Sequence, residues 1–217
     1  MNQPSIWIVG AGCGIGLGIA RTFGKRGYTP VLITKDESTL QHMKQALLEH
    51  NIQADGVVAY SGQLDQLSAA LADLLERSGV PDVLVYNASS HTPGYPSEVS
   101  ISDLLQDFQV NVLGAVTSVQ AVLPHMKARG TGSILLTGGG QALHPTPTLA
   151  SLGIGKSGLR SLALSLHEEL KQAGLYAGTL TICGFVQEGT PFDSSTIGDA
   201  FYRMHMEKKE AEVQLKP

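Results

Sequence analysis

The string Gly10-Ala11-Gly12-Cys13-Gly14-Ile15-Gly16 follows a short apolar run, Ile6 to Val9. Beyond it the apolar residues Ile15, Ile19, Ala20 and Phe23 recur at helical spacing. Glycines at such a junction let the chain turn tightly and let its backbone come close to a phosphate. The helix start supplies unpaired N–H groups and a positive dipole end. The spacing is Gly-x-x-x-Gly-x-Gly. It is not G-x-G-x-x-G, because Ile15 and Leu17 stand where glycines would be needed. It is not a Walker loop, because no Gly-Lys-Ser/Thr follows. A glycine-rich turn without a ligand would have the same composition. The strand before it and the helix after it favour a phosphate-binding loop.

Past the second apolar run the chain reads Thr34-Lys35-Asp36-Glu37. A basic side chain here can pair with a ribose 2′-phosphate, whereas an acidic one would hydrogen-bond a free 2′-hydroxyl. Asp36 competes for the position, but it also reads as the N-terminal acid of the next helix. Lys35 is such a basic side chain, against the alternative of an ordinary exposed lysine.

Composition narrows the remaining chemistry. The chain has 217 residues, 42% hydrophobic and 16% charged, enough for one domain with a sizeable core and unlike a disordered chain. Fifteen basic residues against 19 acidic ones give a net charge of −4, which offers no general attraction to nucleic acid or an anionic membrane. Two cysteines, Cys13 and Cys183, make neither a disulfide framework nor a four-ligand zinc site, and no metal is expected. No long apolar stretch suggests a membrane span. The start, MNQPSIWIVGAG, lacks the basic and apolar regions of a signal peptide, so a soluble cytoplasmic protein is expected.

The elements that position these residues alternate. Strands are expected at 6–9, 31–33, 57–59, 83–86, 134–137 and 179–182. Helices are expected at 14–25, 36–50, 63–78, 101–128 and 149–173. Segments 89–98 and 184–195 read as loops. The tail from Met206 is expected to be solvated, with one short strand through Val213 and Leu215. Strands separated by helices imply a single α/β domain over residues 1–217. Its doubly wound parallel sheet would have six or seven strands and helices on both faces.

In order along the chain, the motifs resemble the short-chain dehydrogenase/reductase family. They are the glycine string, Tyr86-Asn87-Ala88-Ser89, Asn111 in NVLGAV, the segment GSILLTGG ending at Gly139, Lys156 and Cys183-Gly184. The resemblance covers nearly the whole chain and implies a Rossmann-type, nicotinamide-dinucleotide-binding oxidoreductase; Lys35 stands where the family's NADP-users commonly carry a basic residue, which favours NADP(H) over NAD(H). It implies that Gly10, Gly12, Cys13, Gly14, Ile15, Gly16, Lys35, Asn87, Ala88 and Lys156 bind the cofactor. It also implies that Asn111 and Lys156 belong to the catalytic set. Tyr60 and Ser61 stand where the family often has an aspartate beside the adenine.

Two family positions are changed. The tyrosine four residues before the lysine is Leu152, and the catalytic serine is Gly139. A general acid contributes about 10²–10⁴ in rate, and one donor to a developing oxyanion about 10²–10³. A turnover of about 10 s⁻¹ would fall to roughly 10⁻³–10⁻⁶ s⁻¹ if the two factors multiplied. His144, after the glycine run, is the expected replacement in the catalytic set, and Ser151, His91 and Tyr95 are further candidates. Thr137 is expected to be buried by strand alternation.

Two readings stay open. One is an oxidoreductase of a carbonyl or hydroxyl substrate with rebuilt or impaired catalytic residues. The other is a catalytically silent dinucleotide-binding sensor or subunit partner. The substrate is a small molecule that the sequence does not name. Apolar residues on the two long helices, among them Val110, Val112, Val116, Val119, Leu159, Leu162 and Leu166, suggest a homodimer or homotetramer.

Overall fold

The computed structural model describes residues 3–217. Its seven strands are β1 (Ser5–Val9), β2 (Thr29–Thr34), β3 (Asp55–Val58), β4 (Val83–Tyr86), β5 (Ser133–Gly139), β6 (Tyr176–Ile182) and β7 (Glu212–Leu215). They form one sheet in the order β3-β2-β1-β4-β5-β6-β7, with every neighbouring pair parallel. The seven α-helices are α1 (Ile15–Gly24), α2 (Glu37–Leu48), α3 (Leu64–Ser78), α4 (Ile101–Phe108), α5 (Gly114–Arg129), α6 (Ala150–Lys171) and α7 (Ser194–Glu207).

The central strands are apolar because both faces are covered. Trp7 and Val9 point into a core closed by α3, α5 and α6. Ile6 and Ile8 point into a second core closed by α1, α2 and α7. The strand order reverses between β1 and β4, where a sheet of this kind opens a crevice at the carboxyl ends of its strands.

Three expectations are corrected. The helix expected at 101–128 is broken by a π-helical turn, Gln109–Leu113, which carries Asn111. A π turn re-aims one residue without ending the helix. The segment 194–207, expected to begin as loop and to end in a solvated tail, forms α7. Asp193 caps it, accepting a hydrogen bond from the Ser195 N–H. Its Ile197, Phe201 and Met204 are buried in the second core. The helix packs against α1 so closely that a Cβ on Gly18 would overlap the Ser194 carbonyl.

Finally, Val110, Val119, Leu159 and Leu166, expected to face a partner, are buried in this chain's own core. The exposed apolar side chains on α4 and α6 are Ile101, Leu105 and Ile154. The short strand through Val213 and Leu215 is present as β7. It is held by an Arg160 guanidinium that donates two hydrogen bonds to Glu212, at 2.9 and 2.6 Å. No helix among the described residues is long and apolar enough to cross a membrane.

Candidate functional site

The glycine loop is pinned from both sides. Gly10 adopts φ +76°, a region that favours glycine, and a Cβ there would run into Ala88. The N–H groups of Gly10 and Ala11 both donate to the Ile33 carbonyl at 3.0 Å. The Asn87 amide donates to the Gly10 carbonyl at 2.9 Å, and Thr137 Oγ1 donates to Asn87 Oδ1 at 3.0 Å. Asn87 thereby ties the loop to the ends of β4 and β5. Beyond this anchorage, Gly12 and Gly14 face open space, with nothing within 4 Å of a built Cβ. Helix α1 starts with no side-chain cap. Backbone donors at a helix start, with room in front of them, suit an anionic group.

Two clefts meet at this loop, sharing Gly12, Asn87 and Ser89. The smaller, of about 470 Å³, is lined by Gly10, Cys13, Lys35, Tyr60, Ser61 and Ala88. Asp36 is not free to compete with Lys35 there. Its carboxylate caps α2, accepting from the Thr39 N–H and the Ser38 hydroxyl at 2.7 Å each. Those bonds, the Ser38 hydroxyl first, hold its pKa down at about 2.

The larger cleft, of about 730 Å³, is lined by Gly14, Ile15, Gly16, Gly139, His144, Leu152 and Lys156, with His91, Cys183, Phe185 and Val186 also on its wall. Lys156 is 8% exposed, and its ammonium donates to the Thr137 carbonyl at 2.9 Å. Burial lowers its pKa to about 8. Gly139 lies against its aliphatic stem: a Cβ there would sit 3.6 Å from Lys156 Cε, an ordinary contact. The side chain that Gly139 lacks would therefore fit. Thr137 is buried, as strand alternation requires.

The site residues read from sequence separate into two groups. The glycine string, Lys35, Asn87, Ala88, Lys156 and His144 converge on the two clefts. Asn111 lines neither. Its amide is spent on the backbone of Ser90, donating to the carbonyl at 2.7 Å and accepting from the N–H at 2.9 Å. Tyr95 lines neither cleft, and Ser151 turns away from Leu152 to bond Thr92.

Sequence reasoning missed Asp107. This buried carboxylate accepts from Ser90 Oγ at 2.7 Å and the Thr92 N–H at 2.6 Å. Burial pushes its pKa up, but the hydrogen bonds from Ser90, Ser151 and Thr92 outweigh that and hold it below the usual carboxylate value. The available signal was an acid four residues before Asn111, on the same helical face.

A doubly wound sheet with a glycine loop at its switch point and a buried lysine in the adjoining cleft defines a dinucleotide-fold class of protein. The profile of the short chain dehydrogenase family matches residues 4–196, and the chain belongs to that family. It is 28% identical over 205 residues to mouse dehydrogenase/reductase SDR family member 7, covering 93% of this chain and 59% of the relative. It is 28% identical over 186 residues to human inactive hydroxysteroid dehydrogenase-like protein 1, covering 83% of this chain and 56% of the relative. The chain thus spans less than two thirds of the length of these two relatives. A metagenomic short-chain oxidoreductase solved in complex with NADP superposes with a TM-score of 0.90 at 23% identity, over 99% of this chain and 96% of the other.

Proposed function

We propose that the protein is an NADP(H)-dependent oxidoreductase acting on a carbonyl or hydroxyl substrate, with its proton delivery moved away from position 152. The observation that carries this reading is the shared cleft: the buried Lys156 ammonium opens onto the same space as the uncapped start of α1. The residues present fit a dinucleotide. Open glycines 12 and 14 leave room for the diphosphate. Lys35 stands free beside the smaller cleft, where a 2′-phosphate would lie. Lys156 can donate to the ribose hydroxyls at the nicotinamide end. The bound cofactor would supply or accept a hydride. Asn87 and Asn111 hold the backbone on either side of that point, and His144 at the mouth is the proton-transfer candidate from the sequence.

The second reading, a silent dinucleotide-binding protein, is favoured by Leu152 and Gly139. Both line the cleft and neither can donate a proton. The exposed Ile101, Leu105 and Ile154 on α4 and α6 support a homodimer or homotetramer, which a solution mass would check.

Titration with NADPH and NADH, followed by nicotinamide fluorescence, tests the cofactor reading. NADPH should bind more tightly. Lys35→Ala should weaken NADPH about tenfold, the equivalent of roughly 1.4 kcal/mol, and leave NADH unchanged. A folded protein that binds neither nucleotide refutes both readings.

A further inference from the structure

The loop after β4 is held far more firmly at two adjoining points than an idle surface loop requires. At Ser90 the N–H donates to Asn111 Oδ1 (2.9 Å), the carbonyl accepts from Asn111 Nδ2 (2.7 Å), and the hydroxyl donates to Asp107 (2.7 Å). At Thr92 the N–H donates to Asp107 (2.6 Å) and to the Ser151 hydroxyl (3.1 Å), and the carbonyl faces that same hydroxyl at 3.2 Å. The three side chains making these contacts come from α4, the π turn and α6, and each is at most 2% exposed. Between the two clamped residues stands His91. Its own side chain belongs to no clamp and lines the large cleft.

The position of the clamp matters. Ser151 is the chain neighbour of Leu152, and His91 is one residue, about 3.8 Å along the backbone, from Thr92. The imidazole is thus held beside the start of α6, the helix that brings Leu152 and, one turn further along the same face, Lys156 to the cleft. Holding a group's supporting backbone through buried polar partners is how a reacting side chain is pre-organised. His144 is held by local backbone instead: its N–H donates to the Gly140 carbonyl at 2.9 Å, and the side-chain bonds of its segment join Gln141 to Thr146, both partly or largely exposed.

We infer that His91 is a catalytic residue of this cleft: it protonates the oxygen of an uncharged, largely apolar aldehyde or ketone during reduction, and takes that proton back in the reverse direction. The inference rests on the dinucleotide reading above and deepens it. A bound dinucleotide would supply the hydride for the new C–H bond at the carbonyl carbon and would be left oxidised. The π electron pair moves to oxygen, the His91 imidazolium N–H proton passes to that oxygen, and the neutral imidazole, which is exposed, regains a proton from water. Leu149, Leu152, Ile182, Phe185 and Val186 give the substrate its apolar surroundings, and no carboxylate lines the cleft to receive a cation.

The test uses the full chain with NADPH and 4-nitrobenzaldehyde, comparing wild type with His91→Gln and His144→Gln. His91→Gln should lower kcat by about 10²–10⁴ while the NADPH dissociation constant stays within about twofold. Unchanged binding also reports that the variant folds. Lys156, His144 and Cys183 line the same cleft, and His144→Gln is the comparison that separates the two histidines. Three results overturn the proposal: wild-type kcat in His91→Gln, a larger loss in His144→Gln, or no reduction of the aldehyde by wild type that binds NADPH. The last leaves the cofactor reading standing, whereas absence of NADPH binding refutes both.

Discussion

Replacing Lys156 by methionine keeps most of the side chain's length and removes its charge. Burial lowers this lysine from 10.5 to about 8. At 1.36 kcal/mol per pH unit, keeping it charged costs the fold about 3 kcal/mol. The variant loses one hydrogen bond, to the Thr137 carbonyl, worth about 1 kcal/mol. Lys156→Met should therefore be about 2 kcal/mol more stable than wild type at pH 7, a rise in Tm of about 4–8 °C for a chain of this size. Below pH 8 the lysine is charged in both folded and unfolded states, so the penalty is complete. Between about pH 8 and 10.5 the folded lysine gives up its proton while the unfolded one keeps it. Wild type thus gains stability with rising pH and the variant does not. The gap should close at about pH 9.5, and wild type should be the more stable by about 1 kcal/mol at about pH 10.5. Urea or thermal denaturation of both proteins from pH 6 to 10 measures this, alongside NADPH titration, which the variant should fail. A variant less stable at pH 7, or a gap that does not change with pH, refutes the reasoning. Stability gained where binding is lost would mark Lys156 as a residue held for use and not for the fold.

Two further outcomes follow from packing and charge. Glu212→Gln removes the carboxylate that joins β7 to α6. The Arg160 hydrogen bond, ahead of that from Thr181, holds this carboxyl at about 2. The loss should be about 1 kcal/mol at pH 7, with Arg160 partly solvent-screened. Since the folded pKa lies below the usual 4.5, the difference should fade as pH drops from about 4.5 to 2, measured by denaturation at several acidic pH values. Gly18→Ala puts a methyl group into the Ser194 carbonyl and should cost about 1–3 kcal/mol; unchanged stability would show that α7 can slide on α1 without loss.

The sheet was legible because buried parallel strands read as short apolar runs ending in glycine or a polar residue, as Ile6–Val9 and Val83–Tyr86 do. Helix α7 was not read, although Ile197, Ala200, Phe201 and Met204 carry its period. The Pro- and Ser-rich stretch before it drew the assignment towards loop. The π turn leaves no periodic trace, since it adds one residue to an otherwise continuous helical pattern. Individual cleft residues such as Lys35 and Asn87 could be read from their places at strand ends. The clamp around His91 could not, because it joins residues 90–92, 107, 111 and 151, and only the folded chain brings them together.

The tight seating of α7 on α1 also bears on how such a protein can change over generations. The segment between Ile182 and Ser194, which carries Phe185 and Val186, starts from the sheet and ends on a helix wedged against α1. Its two ends stay in place whatever lies between them. Doubling the length of a flexible loop between fixed ends costs only about 0.6 kcal/mol. Residues can thus be added or removed there with little effect on folding, and the wall of the larger cleft can be redrawn while the glycine loop that shares it stays as it is.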